Sequence, residues 1–258
     1  MDHPLLRKLR YFVDFEECEA RALRSLPALE REIRFSPAQS LVTVDQDTRG
    51  GTMLLNRGWA LRYRLLSDGR RQILNFVLPG DFLDPTGFVT HKADYSIVAI
   101  TEVSVSAVHS DALFRLFDRS TRIAAALWWN SAHEAAMARA HLVAVGRQNA
   151  YERIAYLLWE LWARLRVIEA ADKHSFHFPG TQLMISDALG LSSVHTSRTL
   201  ARLKAEGLIS IQGQRIDIRD ADGLKAIAEV SRSGLHLNGA PPGMRRILGI
   251  DIEPRAIP

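Results

Sequence analysis

The chain has 258 residues, 47% of them hydrophobic and 24% charged, with a formal net charge of +4 and a pI near 9.4. This length accommodates two modest domains, each with its own core, and the composition excludes a disordered or fibrous chain. A single cysteine, Cys18, excludes an internal disulfide and any all-thiolate zinc or iron–sulfur site, while the net positive charge permits a polyanionic partner.

The opening MDHPLLRKLRYFVDF has no uninterrupted apolar run, so no secretory signal is expected. No stretch approaches the roughly 20 apolar residues of a membrane span, and a cytoplasmic location is the expectation. Pro4 to about Glu32 reads as helical. Leu5, Leu6, Leu9, Phe12 and Phe15 form a stripe that Leu23, Leu26 and Leu29 continue after a polar break. From Ile33 to about Val108 short alternating runs take over: Leu41–Val44, Met53–Leu55, Trp59–Leu65, Gln72–Leu78, Tyr95–Ile100 and Val103–Val108. Arg49-Gly-Gly51, Arg57-Gly58, Ser67-Asp-Gly69 and Pro79-Gly-Asp81 separate them as turns, and Ser67-Asp-Gly69 predicts a hairpin. Such spacing predicts a small antiparallel barrel or jelly roll.

After Ser110 the pattern is helical again. A short helix holds Leu113, Phe114 and Phe117, and a long one runs from about Thr121 to Gly146. The long helix has two apolar faces, with Ile123, Leu127 and Met137 on one and Ala124, Trp128, Ala135, Ala138, Leu142 and Val145 on the other. A helix apolar on two sides must bury both, one on the barrel and one on a second copy. Ile123, Leu127, Ala135, Ala138, Leu142 and Val145 are the expected dimerisation positions, and a monomer burying both faces is the alternative. Gly146-Arg-Gln148 predicts a hinge, Tyr151–Val167 a further helix, Ala170–His174 a loop and Asp222–Glu229 a last helix. Beyond Ser231 the Pro- and Gly-broken sequence predicts a loosely ordered tail.

Thr181 to Ile218 reads as helix, turn, helix and hairpin. Leu183, Ile185, Ala188 and Leu189 give the first helix an apolar face, with Thr181 as its cap, and Gly190 allows the turn. Ser192 caps the second helix, along which Val194, Leu200 and Leu203 can face inward. Gly207 ends it, and Leu208–Ile211 with Ile216–Ile218 flank a turn. A small helical subdomain without a ligand is the plain alternative. The wing-like hairpin and the polar residues Ser193, His195, Ser197 and Arg198 favour DNA binding instead. Charge adds little, since Lys/Arg and Asp/Glu balance between Gln148 and Val230.

Three segments together resemble the CRP/FNR superfamily of bacterial transcription regulators: LLNRGWALRYRLLSDGRRQILNFVLPGDF, GRQNAYERIAYLLWEL and LGLSSVHTSRTLARLKAEGLI. The match spans about Pro4 to Glu229. It implies an α+β chain with a β-roll (jelly-roll, cyclic-nucleotide-binding-like) sensor domain over 1–109 and a short helix plus long dimerisation helix over 110–147. A winged helix-turn-helix over 148–230 and the tail 231–258 complete it. The resemblance also implies a homodimer on a two-fold double-stranded DNA site. Arg198 falls where the family's base-reading arginine sits, with Ser193, Val194 and Ser197 as further base-reading positions. Thr181, Gln182, Ser192, His195 and Arg202 are the expected phosphate contacts. Val194 replaces a glutamate common in the family, and either a thymine methyl contact or a core position is open to it.

The sensor pocket departs from cyclic-nucleotide-binding relatives. Pro85 and Tyr95 stand where those hold the ribose with Glu and the phosphate with Arg, so Ser96 lacks its guanidinium. A buried phosphate without a cation is costly, which argues against cyclic AMP. Cys18 alone argues against an iron–sulfur cluster, and any other effector is left open. His91, His133 and His141, conceivable haem ligands, read better as surface or dimer-face residues, and His174-Ser-Phe-His177 as an exposed loop rather than a metal site. The expected function is a CRP/FNR-type regulator with RNA polymerase as a further partner, through a loop near Ala170 to Ser175. A helix-turn-helix used only for protein contacts is a second reading. A cupin-type enzyme is disfavoured, because the barrel offers only His91 and His109 and no nucleophile–base pair is present.

Overall fold

Short alternating runs become strands and 3.6-residue stripes become helices, largely in the expected order. The computed structural model describes residues 2–26, 32–47, 51–85, 87, 90, 92–229 and 241–248. Its first part contains α1 (Pro4–Leu9), α2 (Glu17–Ser25), β1 (Glu32–Phe35), β2 (Ser40–Val42), β3 (Gly51–Arg57), β4 (Ala60–Leu65), β5 (Arg71–Val77), β6 (Ser96–Ala99) and β7 (Val103–His109). The helices α3 (Ser110–Arg119), α4 (Thr121–Arg147) and α5 (Ala150–Val167) follow. Then come β8 (Ser175–His177), α6 (Gln182–Leu189), α7 (Ser193–Ala205), β9 (Ile209–Gln212), β10 (Arg215–Ile218), α8 (Ala221–Ile227) and α9 (Pro242–Leu248). The sheets are ordered β1-β7-β3, β2-β6-β4-β5 and β8-β10-β9. Two compact units result, one holding residues up to 63, 76–134 and the α9 segment, the other 64–75 and 135–229.

In the first unit, Leu55, Val77, Leu83, Ile97 and Val105 fill the roll. A second core gathers Leu5, Leu9, Leu23, Phe82, Leu113, Leu116, Ile123 and Leu127 from the helices and the roll's outer face. Ile123 and Leu127 therefore do not belong to an exposed dimer seam as expected. They are 1% and 7% exposed inside their own chain, because the face they share turns toward α1, α2 and α3. Gly80 (φ +89°) shows how closely α1 approaches: a Cβ there would lie 2.7 Å from the Leu5 amide nitrogen. Lys8 completes this contact with a buried ion pair to Asp81 at 2.7 Å.

The N-terminal helical stretch is two helices, since Glu16 and Glu19 form a capping box that restarts the chain as α2. Leu29 and the Arg49-Gly50 part of an expected turn lie outside the described residues. The strand β1 was not expected. Its burial is low along its length, so no alternation marks it, yet it pairs with β7 from Glu32↔Ser106 to Phe35↔Val103. Within the stretch expected as a loose tail, 241–248 is ordered and the rest lies outside the described residues. Pro242 opens α9, a position where proline favours a helix. Leu248 enters the second core, and Arg122 Nε donates to its carbonyl at 2.8 Å.

In the second unit α5 is the central element, started by a capping box of Asn149 and Glu152 and buried along most of its length. The hairpin around Ser67-Asp-Gly69 closes as expected, with the Leu66 amide donating to Arg70 O at 2.8 Å. It groups with the second unit, where Arg71 pairs with Asp187 of α6 at 2.7 Å and Gln72 Nε2 donates to Ala188 O. Ser175–His177 is likewise not an exposed loop. It forms the edge strand of the wing, with Phe176 buried opposite Ile216. Among the described residues no helix is long and apolar enough to cross a membrane.

Candidate nucleic-acid interface

Each end of the helix pair is fixed by local chemistry. The Thr181 hydroxyl accepts from Met184 N, and the Ser192 hydroxyl accepts from His195 N at 3.2 Å. Both hydroxyls keep a proton to donate, so a cap can also face a phosphate. Gly190 takes the left-handed conformation (φ 63°) that ends α6 and starts the turn. Arg153 of α5 donates to Leu189 O at 3.0 Å and so covers a free carbonyl at that end.

Behind the turn, Leu200 and Leu203 enter the core with Ile185 and Leu189. Thr196 is fully buried and receives a hydrogen bond from the Ser186 hydroxyl at 2.9 Å, joining α6 to α7. The sequence reading missed this pair. Its visible trace is that Ser186 and Thr196 both fall on the inward side of their helices. Leu183, assigned inward, is 54% exposed, and Val194, for which a core position and an outward one were both open, is 61% exposed. The buried hydroxyl pair takes the inward register, which leaves Val194 on the outer face with Ser193, His195, Ser197 and Arg198.

Among the described residues nothing pairs with the Arg198 guanidinium, and the side chain is exposed. Gln182, Thr181 and Ser192 are exposed beside it. Arg202 differs. Its Nε donates to Glu206 at 2.7 Å and its guanidinium lies 4.2 Å from the Tyr151 ring centroid. The Tyr151 hydroxyl donates to the other Glu206 oxygen. A phosphate brought to Arg202 would therefore meet the Glu206 carboxylate as well. The Glu206 carboxyl is held below its ordinary value by the Tyr151 hydroxyl and then by Arg202. Tyr151 is pushed up to about 12, by partial burial and by its bond to Glu206.

The roll interior holds a guanidinium that the sequence reading did not find. Arg62 of β4 is buried, with Nε donating to Leu83 O at 2.9 Å, one terminal nitrogen to Phe82 O and the other to Glu134 of α4 at 3.0 Å. Tyr95 lies beneath it, 5.5 Å from the guanidinium carbon to the ring centroid, and donates weakly to Asp84. Ser96 is occupied too, its hydroxyl accepting from Val44 N. Of the conceivable haem ligands, His133 is buried and stacked on Trp129 at 5.2 Å, so it is not a surface residue, and His91 lies outside the described residues.

A family model for the Crp-like helix-turn-helix domain matches residues 152–227, and one for the cyclic nucleotide-binding domain matches 32–120. The nitrogen fixation regulation protein FixK of Bradyrhizobium diazoefficiens is 30% identical over 210 residues, covering 81% of this chain and 87% of the relative. The chain belongs to the CRP/FNR family of transcription regulators. The transcriptional activatory protein AadR of Rhodopseudomonas palustris is 29% identical, over 78% of this chain and 82% of its own length. The structure of FixK2 from Bradyrhizobium japonicum is 28% identical, with a TM-score of 0.67 over 77% of this chain and 97% of that one. As a member of the CRP/FNR family the protein is a DNA-binding regulator and not an enzyme.

Proposed function

We propose that the protein acts as a homodimer that binds a two-fold DNA site in a sequence-specific way and responds to an input other than a cyclic nucleotide. The observation that carries this reading is Arg198: exposed, unpaired among the described residues, and held on a helix whose back is fixed by the Thr196–Ser186 bond. A guanidinium so placed can take guanine O6 and N7 together, with Ser193, Val194 and Ser197 reading neighbouring base edges. Thr181, Gln182, Ser192 and His195 serve the phosphates.

Dimerisation through α4 is supported by a stripe of exposed residues, Trp128, Ala135, Ala138 and Leu142, spaced at seven, three and four, with Val145 at its edge. Trp128 and Leu142 are 74% and 72% exposed, large apolar surface on one helix face. An input other than cyclic AMP is supported by the state of the roll. Its buried guanidinium spends its donors on Glu134, Phe82 and Leu83, so Arg62 is not free to receive a phosphate there. Relatives named activators support an activating output, in which the exposed residues of the loop Ala170–His174 offer a surface to RNA polymerase.

Selection of bound sequences from a random DNA pool tests the reading. The wild type should enrich a palindromic site, and Arg198→Ala should lower preference for that site over random DNA by roughly 5- to 150-fold. An unchanged site preference in the variant would reject Arg198 as the reading residue.

A further inference from the structure

A cavity of about 220 Å³ lies in the first unit, outside the Arg62–Glu134–Tyr95 interior. Its walls include Thr52 of β3, Phe82 after β5, Leu113 and Phe117 of α3, and Leu127 and Trp128 of α4. None of its described lining residues is charged. Two hydroxyls belong to the described wall: that of the exposed Ser131, which donates to Leu127 O at 3.4 Å, and that of Thr52, a residue 7% exposed. The Thr52 oxygen is buried and has no hydrogen-bond partner among the described residues. A buried hydroxyl without a partner is unusual and favours a ligand that supplies one. A cavity of roughly 150 Å³ lined by aliphatic and aromatic groups accepts benzene, so this one has room for a ring and a few further atoms.

We propose that this cavity binds a small, neutral, single-ring aromatic molecule carrying one hydroxyl group. The ring packs among Phe82, Phe117 and Trp128, and the hydroxyl bonds to Thr52 Oγ1. A carboxylate of the same size is excluded, because it would be buried with no cation beside it. Trp128 stands at the mouth, on the α4 stripe proposed above as the dimer seam, and as a wall residue it reports occupation. The inference goes beyond the DNA-reading function and does not depend on it.

The test uses the full-length protein with its five tryptophans replaced by 5-fluorotryptophan, observed by fluorine NMR, with Trp128→Phe assigning the signal. Added 4-methylphenol should move the Trp128 resonance saturably, at one molecule per chain, and leave Trp159 and Trp162 in place. Thr52→Val should weaken 4-methylphenol about fivefold and leave toluene unchanged. 4-Methylbenzoate should bind at least about tenfold more weakly than 4-methylphenol. Ala124→Phe, which fills the cavity from α4, should abolish binding of both neutral probes while the other tryptophan signals keep their positions. A Trp128 signal that no probe moves up to its solubility limit overturns the proposal. So does binding that survives Ala124→Phe, or a Thr52→Val variant that treats 4-methylphenol as the wild type does. If no probe binds and Ala124→Phe instead halves the sedimenting mass, the groove belongs to a second copy of the chain and the ligand reading fails.

Discussion

Removing Glu134 should destabilise the roll more than any surface ion pair would. Arg62 and Glu134 are 3.0 Å apart with side chains 7% and 10% exposed. Breaking a buried pair by deleting one partner costs about 3–5 kcal/mol, because the surviving charge stays buried without compensation. An exposed pair such as Arg202–Glu206, at 63% and 42%, contributes at most about 1 kcal/mol. Arg62 cannot escape by losing its proton. Burial, the largest single influence, pushes the guanidinium down, but Glu134, Tyr95 and Asp81 together push it up by more, and it stands above the ordinary arginine value. The carbonyls of Phe82 and Leu83 still accept from it in Glu134→Ala, which sets the expected loss near the lower limit, about 3 kcal/mol. At roughly 3 °C per kcal/mol for a unit of this size, the first-unit melting transition should fall by about 10 °C. Thermal and urea unfolding at matched chain concentration measure it, since self-association makes stability depend on concentration. The double variant Arg62→Met with Glu134→Leu should recover most of the loss. A single-variant loss under about 1 kcal/mol, or a double variant no better than Glu134→Ala, would refute the reasoning.

Three further outcomes follow from the second unit and the long helix. Thr196→Val should cost about 1 kcal/mol in a thermal melt, since the one Ser186 hydroxyl proton, in reach of both Thr196 and Gln182 O, still has Gln182 O to go to, whereas Thr196→Ser should be near wild type. Leu142→Glu places a charge on the exposed α4 stripe, so sedimentation should give a monomer at concentrations where the wild type is dimeric. The depressed Glu206 carboxyl makes the Tyr151–Glu206–Arg202 clasp fully effective above the ordinary value of 4.5 and weaker as acid passes the lower folded value. Glu206→Gln should flatten the stability slope between the lower folded value and 4.5, and a melting series descending in pH compares the two.

Elements whose residues cooperate locally could be read from the chain. The Ser67-Asp-Gly69 hairpin and the Thr181 and Ser192 caps of the helix pair each depend on neighbours within a few positions. Elements defined by distant partners could not. The strand β1 has no alternation of its own and exists through β7, more than 60 residues away in sequence. The helix α9 hides in a Pro- and Gly-broken stretch and is held by Arg122 and the second core. Arg62 reads as one more charged residue in an alternating strand. Its role comes from Glu134, 72 residues on.

The recognition face raises the same issue in a form that composition cannot resolve. Lys/Arg and Asp/Glu balance between Gln148 and Val230, and only the narrower stretch holding Arg198, Arg202, Lys204, Arg215 and Arg219 against Asp187, Glu206 and Asp217 is mildly basic, so a count of charges gives a weak electrostatic footprint. Folding removes the acids from play unevenly. Asp187 is taken by Arg71, Glu206 by Arg202 and Tyr151, and Asp217 by Arg215 and Ser210. Glu160 pairs with Arg164 inside the core. On α7 this leaves Arg198 and Lys204 exposed and, among the described residues, without an acidic partner. The stretch thus presents positive charge where α7 meets solvent, because Asp187, Glu206 and Asp217 are each committed to another cation or hydroxyl. The surface a polyanion meets is set by which charges remain unpaired after folding, and Arg198 is the one of these nearest the N-terminus of α7.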